Sequence, residues 1–161
     1  MRYRMAATFM KKDSRILDIA CGTGYGSQML ARFTGQQVVG VDSDISALKI
    51  GVRHYNHANI TFQHGDIEKT WFPYHFGLVV CLETLEHLKE PELFLSKTLS
   101  CMGAGATIVI SVPVTEKKGD NPYHIHFWRE SHVMEMFQRY FVIKTEVKQT
   151  DGYLLLAGTP H

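Results

Sequence analysis

Between Asp18 and Gly26 the chain places a carboxylate, a thiol (Cys21) and three glycines, Gly22, Gly24 and Gly26. Gly22 and Gly24 let the backbone turn tightly and approach a ligand with no Cβ in the way. Asp42 follows Gly22 by twenty residues and ends the next apolar run. A carboxylate there can accept both hydroxyls of a ribose. A dinucleotide fingerprint beginning at Gly22 and Gly24 needs a third glycine where Ser27 stands, so the spacing does not call for a pyrophosphate. Asp18, just ahead of the loop, suits a cationic ligand better than a phosphate. A ligand with a ribose, an adenine and an amino-acid portion fits: S-adenosylmethionine (SAM). The plainer alternatives are a strand–helix turn that tolerates glycine and a solvated strand end at Asp42.

Two further clusters could act on a second substrate. Glu83, Glu86 and His87 follow an apolar run. A helical turn beginning at Glu83 would put all three on one face, with a carboxylate fixing the tautomer of His87 as a general base. The alternative is that Glu86 and His87 only stabilise the turn. The second cluster, at 121–128, holds His124, His126, Phe127 and Trp128 in a loop longer than most connections. In an extended segment His124 and His126 point the same way.

The elements that must position these residues alternate. Short, non-alternating apolar runs at 15–20, 37–41, 76–82 and 107–112 predict buried parallel strands. An alternating strand is expected at 59–63, and a hairpin over 142–157 turns at Asp151-Gly152. Helices are expected at 24–33, at 44–55 with Asp44 as cap and Ile45, Leu48 and Val52 on one face, at 91–102, and at 130–140. Gly103 and Gly105 should break the third of these. The order is that of an α/β fold with helices on both faces of a mostly parallel sheet, whose ligands bind beyond the carboxyl ends of the strands.

The chain has 161 residues, which predicts a single minimal domain over 1–161. Lysines and arginines number 17 against 16 acids, so no overall charge draws the chain to nucleic acid, and no run of 18 apolar residues spans a membrane. Cys21, Cys81 and Cys101 are odd in number and sit in or beside apolar stretches, which favours a reducing cytoplasm over a disulfide framework.

At the glycine run the chain resembles the class I SAM-dependent methyltransferases, and the likeness covers nearly its whole length. Leu17-Asp-Ile-Ala-Cys-Gly-Thr-Gly24 is similar to the family's first motif and Val39-Gly-Val-Asp42 to its second. His64-Gly-Asp66-Ile67 is similar to the third, whose acid faces the adenine amino group. Val79-Val-Cys-Leu-Glu-Thr-Leu-Glu-His87-Leu resembles the fourth motif of the ubiquinone and menaquinone biosynthesis branch. The resemblance implies a Rossmann-like, doubly wound seven-stranded sheet of order 3-2-1-4-5-7-6 with strand 7 antiparallel. It implies SAM bound through Asp18, Cys21, Gly22, Thr23, Gly24, Asp42, Ser43, Asp66, Ile67 and Leu82, leaving as S-adenosylhomocysteine (SAH). Asp66 could instead cap a short turn.

The resulting expectation is O-methylation of a small-molecule acceptor, with Glu83, Glu86, His87 and His126 as the catalytic set. Glu83, Glu86 and His87 with one of His124 or His126 also resemble the metal site of small-RNA 3′-terminal 2′-O-methyltransferases. That family has a longer stretch between the two elements and added RNA-binding segments, so no metal ligand is assigned and nucleic acid is not expected as a partner. A non-catalytic SAM-binding subunit is the reading from another class. Acceptor choice is left to two segments, 1–12 and 114–128, both carrying lysines that would favour a small or anionic acceptor. A homodimer could close the site.

Overall fold

The computed structural model describes residues 1–161 apart from Trp71 and Tyr74. Its strands are β1 (Ile16–Ile19), β2 (Val38–Asp42), β3 (Ile60–His64), β4 (Phe76–Leu82), β5 (Met102–Pro113), β6 (Phe141–Lys148) and β7 (Tyr153–Pro160). They form one sheet of order β3-β2-β1-β4-β5-β7-β6. The first five strands run parallel, and β7 lies antiparallel between β5 and β6. The helices are α1 (Arg2–Ala7), α2 (Tyr25–Thr34), α3 (Ile45–His54), α4 (Pro91–Thr98) and α5 (Glu130–Gln138).

Strand periodicity divides the core. Leu17, Val79, Ile108 and Ile110 face Phe94, Leu95 and Phe137 of α4 and α5. Ile16, Val80 and Val109 face Ala6 of α1 and Leu30 and Ala31 of α2. Every residue of β1 is buried, as a central strand covered on both faces requires. Helix α2 ends at Gly35, left-handed at φ 70°, whose N–H bonds back to Ala31 O. Helix α3 opens on Asp44, whose side chain accepts from Ser46 N.

Three expectations change. The helix expected over 91–102 ends at Thr98, a 3₁₀ turn (Leu99–Cys101) follows, and Met102, Gly103 and Gly105 belong to β5. Glycines that read as a helix break here lead a strand past a bulge. Helix α3 buries Leu48 and Gly51, while Ile45 and Val52 stand more than half exposed. Gly51 lets the helix sit close on Phe62 and the Thr23 carbonyl, so the smallest residue on α3 sets its contact line. The remaining helices cover both faces at β1, β4 and β5. Among the described residues no helix connects β3 to β4, and Thr61 and Gln63 line an open hollow with Val38 and Val39.

Asp18 alternates with Leu17 and shares the face of Ile16 along β1, so its side chain turns toward α1 and α2 and is fully buried. Ser27 Oγ donates to Oδ2 at 2.6 Å, the Tyr3 hydroxyl lies close by, and Oδ1 has no protein partner. Tyr3 covers Gly26, where a Cβ would meet its ring, so Asp18, Ser27 and Gly26 together receive α1. Burial pushes the Asp18 carboxyl up from 3.8 to about 7, against the hydrogen bonds from Ser27 and Tyr3. The unfolded chain gives up this proton near 3.8 while the fold holds it to about 7. Stability therefore falls as pH rises through that window, by about 4 kcal/mol from this group. Asp18→Asn keeps an acceptor for Ser27 and cannot ionise. In urea titrations across this window its stability relative to wild type should rise by about that amount; a pH-independent difference would refute the assignment.

Candidate cofactor and acceptor site

The chain leaves β1 through α2 toward β2 on one side, and after β3 it crosses to β4 on the other. The carboxyl ends of β1 and β4 thus part and leave a crevice. Ala20 ends β1 in the left-handed region at φ 52°, followed by Gly22 at 56° and Gly24 at 81°. Asp42 closes this loop: its Oδ2 accepts from Gly22 N at 2.7 Å and its Oδ1 from Asp44 N at 2.8 Å. Two backbone donors hold the carboxylate fixed and leave lone pairs for a further pair of hydroxyls.

At the next strand end Gly65 N donates to Asp42 O, and His64 Nε2 to Ser43 O. Asp66 forms a turn of its own, with Oδ1 accepting from Glu68 N at 3.0 Å and Oδ2 paired with Lys69 at 2.7 Å. The hydrogen bond from Lys69 holds the Asp66 carboxyl below its usual range. A crevice of about 290 Å³ is lined by Ala20, Asp42, Ser43, Gly65, Asp66, Ile67 and Glu68 on one side and Glu83, Thr84, His87 and Leu88 on the other.

Of the expected cofactor residues, Asp42, Ser43, Asp66 and Ile67 line this crevice, Gly22 is tied to it through Asp42, and Gly24 sits against the Phe62 ring. Asp18 does not reach it, being spent beneath the loop on α1 and α2. Cys21 is 5% exposed, with its sulfur against Gly40; Thr23 turns its carbonyl to α3; and Leu82 is 9% exposed in the core. Ala20, Gly65, Glu68, Thr84 and Leu88 line the crevice without having been singled out. Ala20, Gly65, Thr84 and Leu88 lie within the motif segments, whereas Glu68 follows the third and arrives by tertiary packing; Thr84 is buried with its hydroxyl on Leu82 O.

The acceptor side departs from the expected helical turn. Glu83 is left-handed at φ 53°, a strained conformation for a residue with a Cβ, and the turn begins two residues later at Leu85–His87. Glu83 therefore does not share a face with Glu86 and His87. Its Oε1 accepts from Ser111 Oγ on β5 at 2.5 Å and lies 3.9 Å from Arg2 Nη1. Arg2 spans the strand ends from α1, reaching Gln149 and Asp151 and stacking 4.0 Å over the Tyr153 ring. Burial raises the Glu83 carboxyl above its usual range.

Glu86 is fully buried, and neither carboxylate oxygen has a protein partner. Burial pushes it up to about 8. His87 is exposed, and its Nδ1 donates to the Tyr123 carbonyl at 3.0 Å. That bond fixes the tautomer and leaves the lone pair on Nε2. His124 lies edge-on to His87, with ring centroids 4.6 Å apart. Its Nδ1 bonds Glu116 Oε2, and its Nε2 accepts from Asn121. Glu86, His87 and His124 each bring one ligand-capable atom within 4.8 Å of the others, a geometry that could hold a divalent cation.

His126, expected in the catalytic set, is turned away: Nε2 donates to Leu88 O at 2.9 Å and the ring stacks on Trp128. Glu86 O accepts from both Ile125 N and His126 N. That anchorage breaks the simple extended geometry, so the imidazole that meets His87 is His124.

Comparison with known proteins agrees with this layout. Residues 16–104, more than half of the chain, match the family model described as a methyltransferase domain. A mitochondrial ubiquinone biosynthesis O-methyltransferase of Schizosaccharomyces pombe is 31% identical over 102 residues, covering 60% of this chain and 37% of that protein. A ubiquinone biosynthesis O-methyltransferase of Coxiella burnetii is 31% identical over 103 residues, covering 62% of this chain and 44% of that protein. The chain thus spans less than half the length of these relatives. In fold it is similar to the PH0226 protein of Pyrococcus horikoshii, with TM-score 0.83, 19% identity, and coverage of 98% of this chain and 87% of that one. It is also similar to the N-methyltransferase NodS of Bradyrhizobium japonicum in complex with SAH, with TM-score 0.80, 16% identity, and coverage of 99% and 85%. No helix among the described residues is long and apolar enough to cross a membrane. A glycine loop closed by Asp42, at the switch point of a 3-2-1-4-5-7-6 sheet, places the chain with its matched family: it belongs to the class I SAM-dependent methyltransferases.

Proposed function

We propose that the protein transfers the methyl group of SAM to an oxygen of a small-molecule acceptor, bound between the Glu83–His87 segment and the loop at 114–128. The observation that carries this reading is His87, pinned through Nδ1 with a bare Nε2 at the crevice wall. The two relatives are named as O-methyltransferases of ubiquinone biosynthesis, which supports the same class.

SAM supplies an activated methyl on a sulfonium, so the chain has to orient the acceptor, exclude water and remove one proton. His87 Nε2 takes the hydroxyl proton, and the oxygen forms its bond to the methyl carbon as the carbon–sulfur bond breaks, leaving neutral SAH. Glu83, fixed by Ser111 and beside Arg2, is placed to accept a hydrogen bond from a second acceptor hydroxyl. Glu83 and Glu116 around this end favour a neutral, hydroxyl-bearing acceptor over the anionic one that the loop lysines suggested.

One observation favours a metal-assisted version. The Glu86 oxygens without partners and the free His87 Nε2 fit a divalent cation, which would acidify a bound hydroxyl. The bond from Asn121 to His124 Nε2 would have to open to admit it.

A panel of phenolic and alcoholic acceptors, read by SAH release, tests the proposal. With an active acceptor, His87→Ala should lower kcat by about a hundredfold or more and leave SAH affinity within about twofold. Unchanged turnover would remove His87 from the mechanism. Treatment with EDTA should abolish activity, restorably by divalent cation, only under the metal-assisted version. Equal rates with EDTA and in His124→Ala would end it.

A further inference from the structure

We propose that Glu68 is a positioning residue that sets base selectivity in the cofactor pocket by tying the loop of Asp66 and Ile67 to the start of α4. The inference rests on the reading of Asp66 as the acid that faces the adenine amino group.

The Asp66 loop has little to hold it in place by itself. Asp66 organises a local turn, its carbonyl accepting from Lys69 N at 2.9 Å and Thr70 N at 2.7 Å. The pair with Lys69 lies within that turn and is exposed, so it cannot anchor the turn to the body. Toward the sheet, Gly65 N bonds Asp42 O. On the far side, Glu68 Oε1 accepts from Lys89 N at 3.0 Å and Glu90 N at 3.1 Å. The Glu68 carbonyl also accepts from Lys97 Nζ at 3.1 Å.

The same contacts solve a problem at α4. Its N-cap residue, Glu90, makes no side-chain cap bond, and Pro91 opens the helix. The orphan donors before α4 are met by a carboxylate more than twenty residues upstream. Bonds from backbone N–H to a charged acceptor are among the stronger ones, and an anion at a helix N-terminus is favoured by the helix dipole. Lys89 and Glu90 continue directly from the turn that carries Glu86 and His87. Glu68 therefore joins the base end of the crevice to the acceptor end, and lines the crevice between them.

A carboxylate at Asp66 discriminates adenine from hypoxanthine because the adenine amino group donates where hypoxanthine presents a carbonyl. That discrimination requires the carboxylate to be held in place, which is the task assigned to Glu68. A role limited to capping α4 would weaken the fold without changing which base is preferred.

Calorimetry with SAH and S-inosylhomocysteine on wild type, Glu68→Ala and Glu68→Gln separates these cases. Wild type should prefer SAH. Glu68→Ala should bind SAH about tenfold more weakly while its affinity for the inosyl ligand changes by less than about twofold. Glu68→Gln, whose amide oxygen can accept from the same two N–H groups, should keep the preference. Should Glu68→Ala not fold, Glu68→Asp, one methylene short of α4, carries the same expectation. If wild type prefers SAH and the alanine or aspartate variant weakens both ligands equally, or neither, the proposal is overturned. If wild type itself shows no preference, the reading of Asp66 fails and takes the proposal with it.

Discussion

A parallel sheet can hold a ligand only where its connections part, and here that place is the carboxyl end of β1. The strand is four residues long, buried throughout and paired on both sides, with β2 and β4. Because the chain departs from β1 toward β2 and from β4 toward β5, the loops that follow these two neighbouring strands leave in opposite directions and a crevice opens between their carboxyl ends. Every group of the site is placed relative to that gap. The glycine loop turns over it, Asp42 reaches in from β2, Asp66 from β3, and Glu83 and His87 from β4. A polar or unpaired residue at Leu17 or Ile19 would disturb all of them at once.

Among the described residues, two of the three non-glycine positions with positive φ lie at the same gap, the third being Asp13 ahead of β1. Ala20 and Glu83, at the ends of β1 and β4, are both left-handed without being glycine. Each costs on the order of 1 kcal/mol, affordable only because the buried strands over-determine the conformation. In return the chain leaves both strands abruptly, which turns Glu83 toward Ser111 and Arg2 and frees the following turn to aim His87 at the crevice. Burial works on the same wall, keeping Glu86 uncharged near neutral pH until it meets a cation or a donor.

Much of this was legible in the residues, and the exceptions have a common cause. Non-alternating runs located the parallel strands because central strands are covered on both faces. Asp42 was legible from its spacing to Gly22, since one crossover fixes the distance between successive strand ends. The side chains that went astray were those whose direction depends on a partner distant in sequence. Asp18 points along the strand alternation into α1 and α2 rather than into the loop it precedes. Periodicity grouped Ile45 and Val52 with Leu48 on one face of α3, but close approach at Gly51 leaves only Leu48 of the three buried. His124 rather than His126 meets His87 because Glu86 O gathers the N–H groups of 125 and 126. Glu68 gave no signal at all, since its partners lie on α4.

In the proposed function the Asp42 crevice is the SAM site and the acceptor meets it at His87. A crystal structure of the chain with SAH tests it most directly. Ribose hydroxyls should lie on Asp42, the base against Ile67, and the sulfur should face the Glu83–His87 segment. SAH lodged instead in the separate hollow bounded by Phe72, Phe94 and Cys101, with Asp42 untouched, would contradict it.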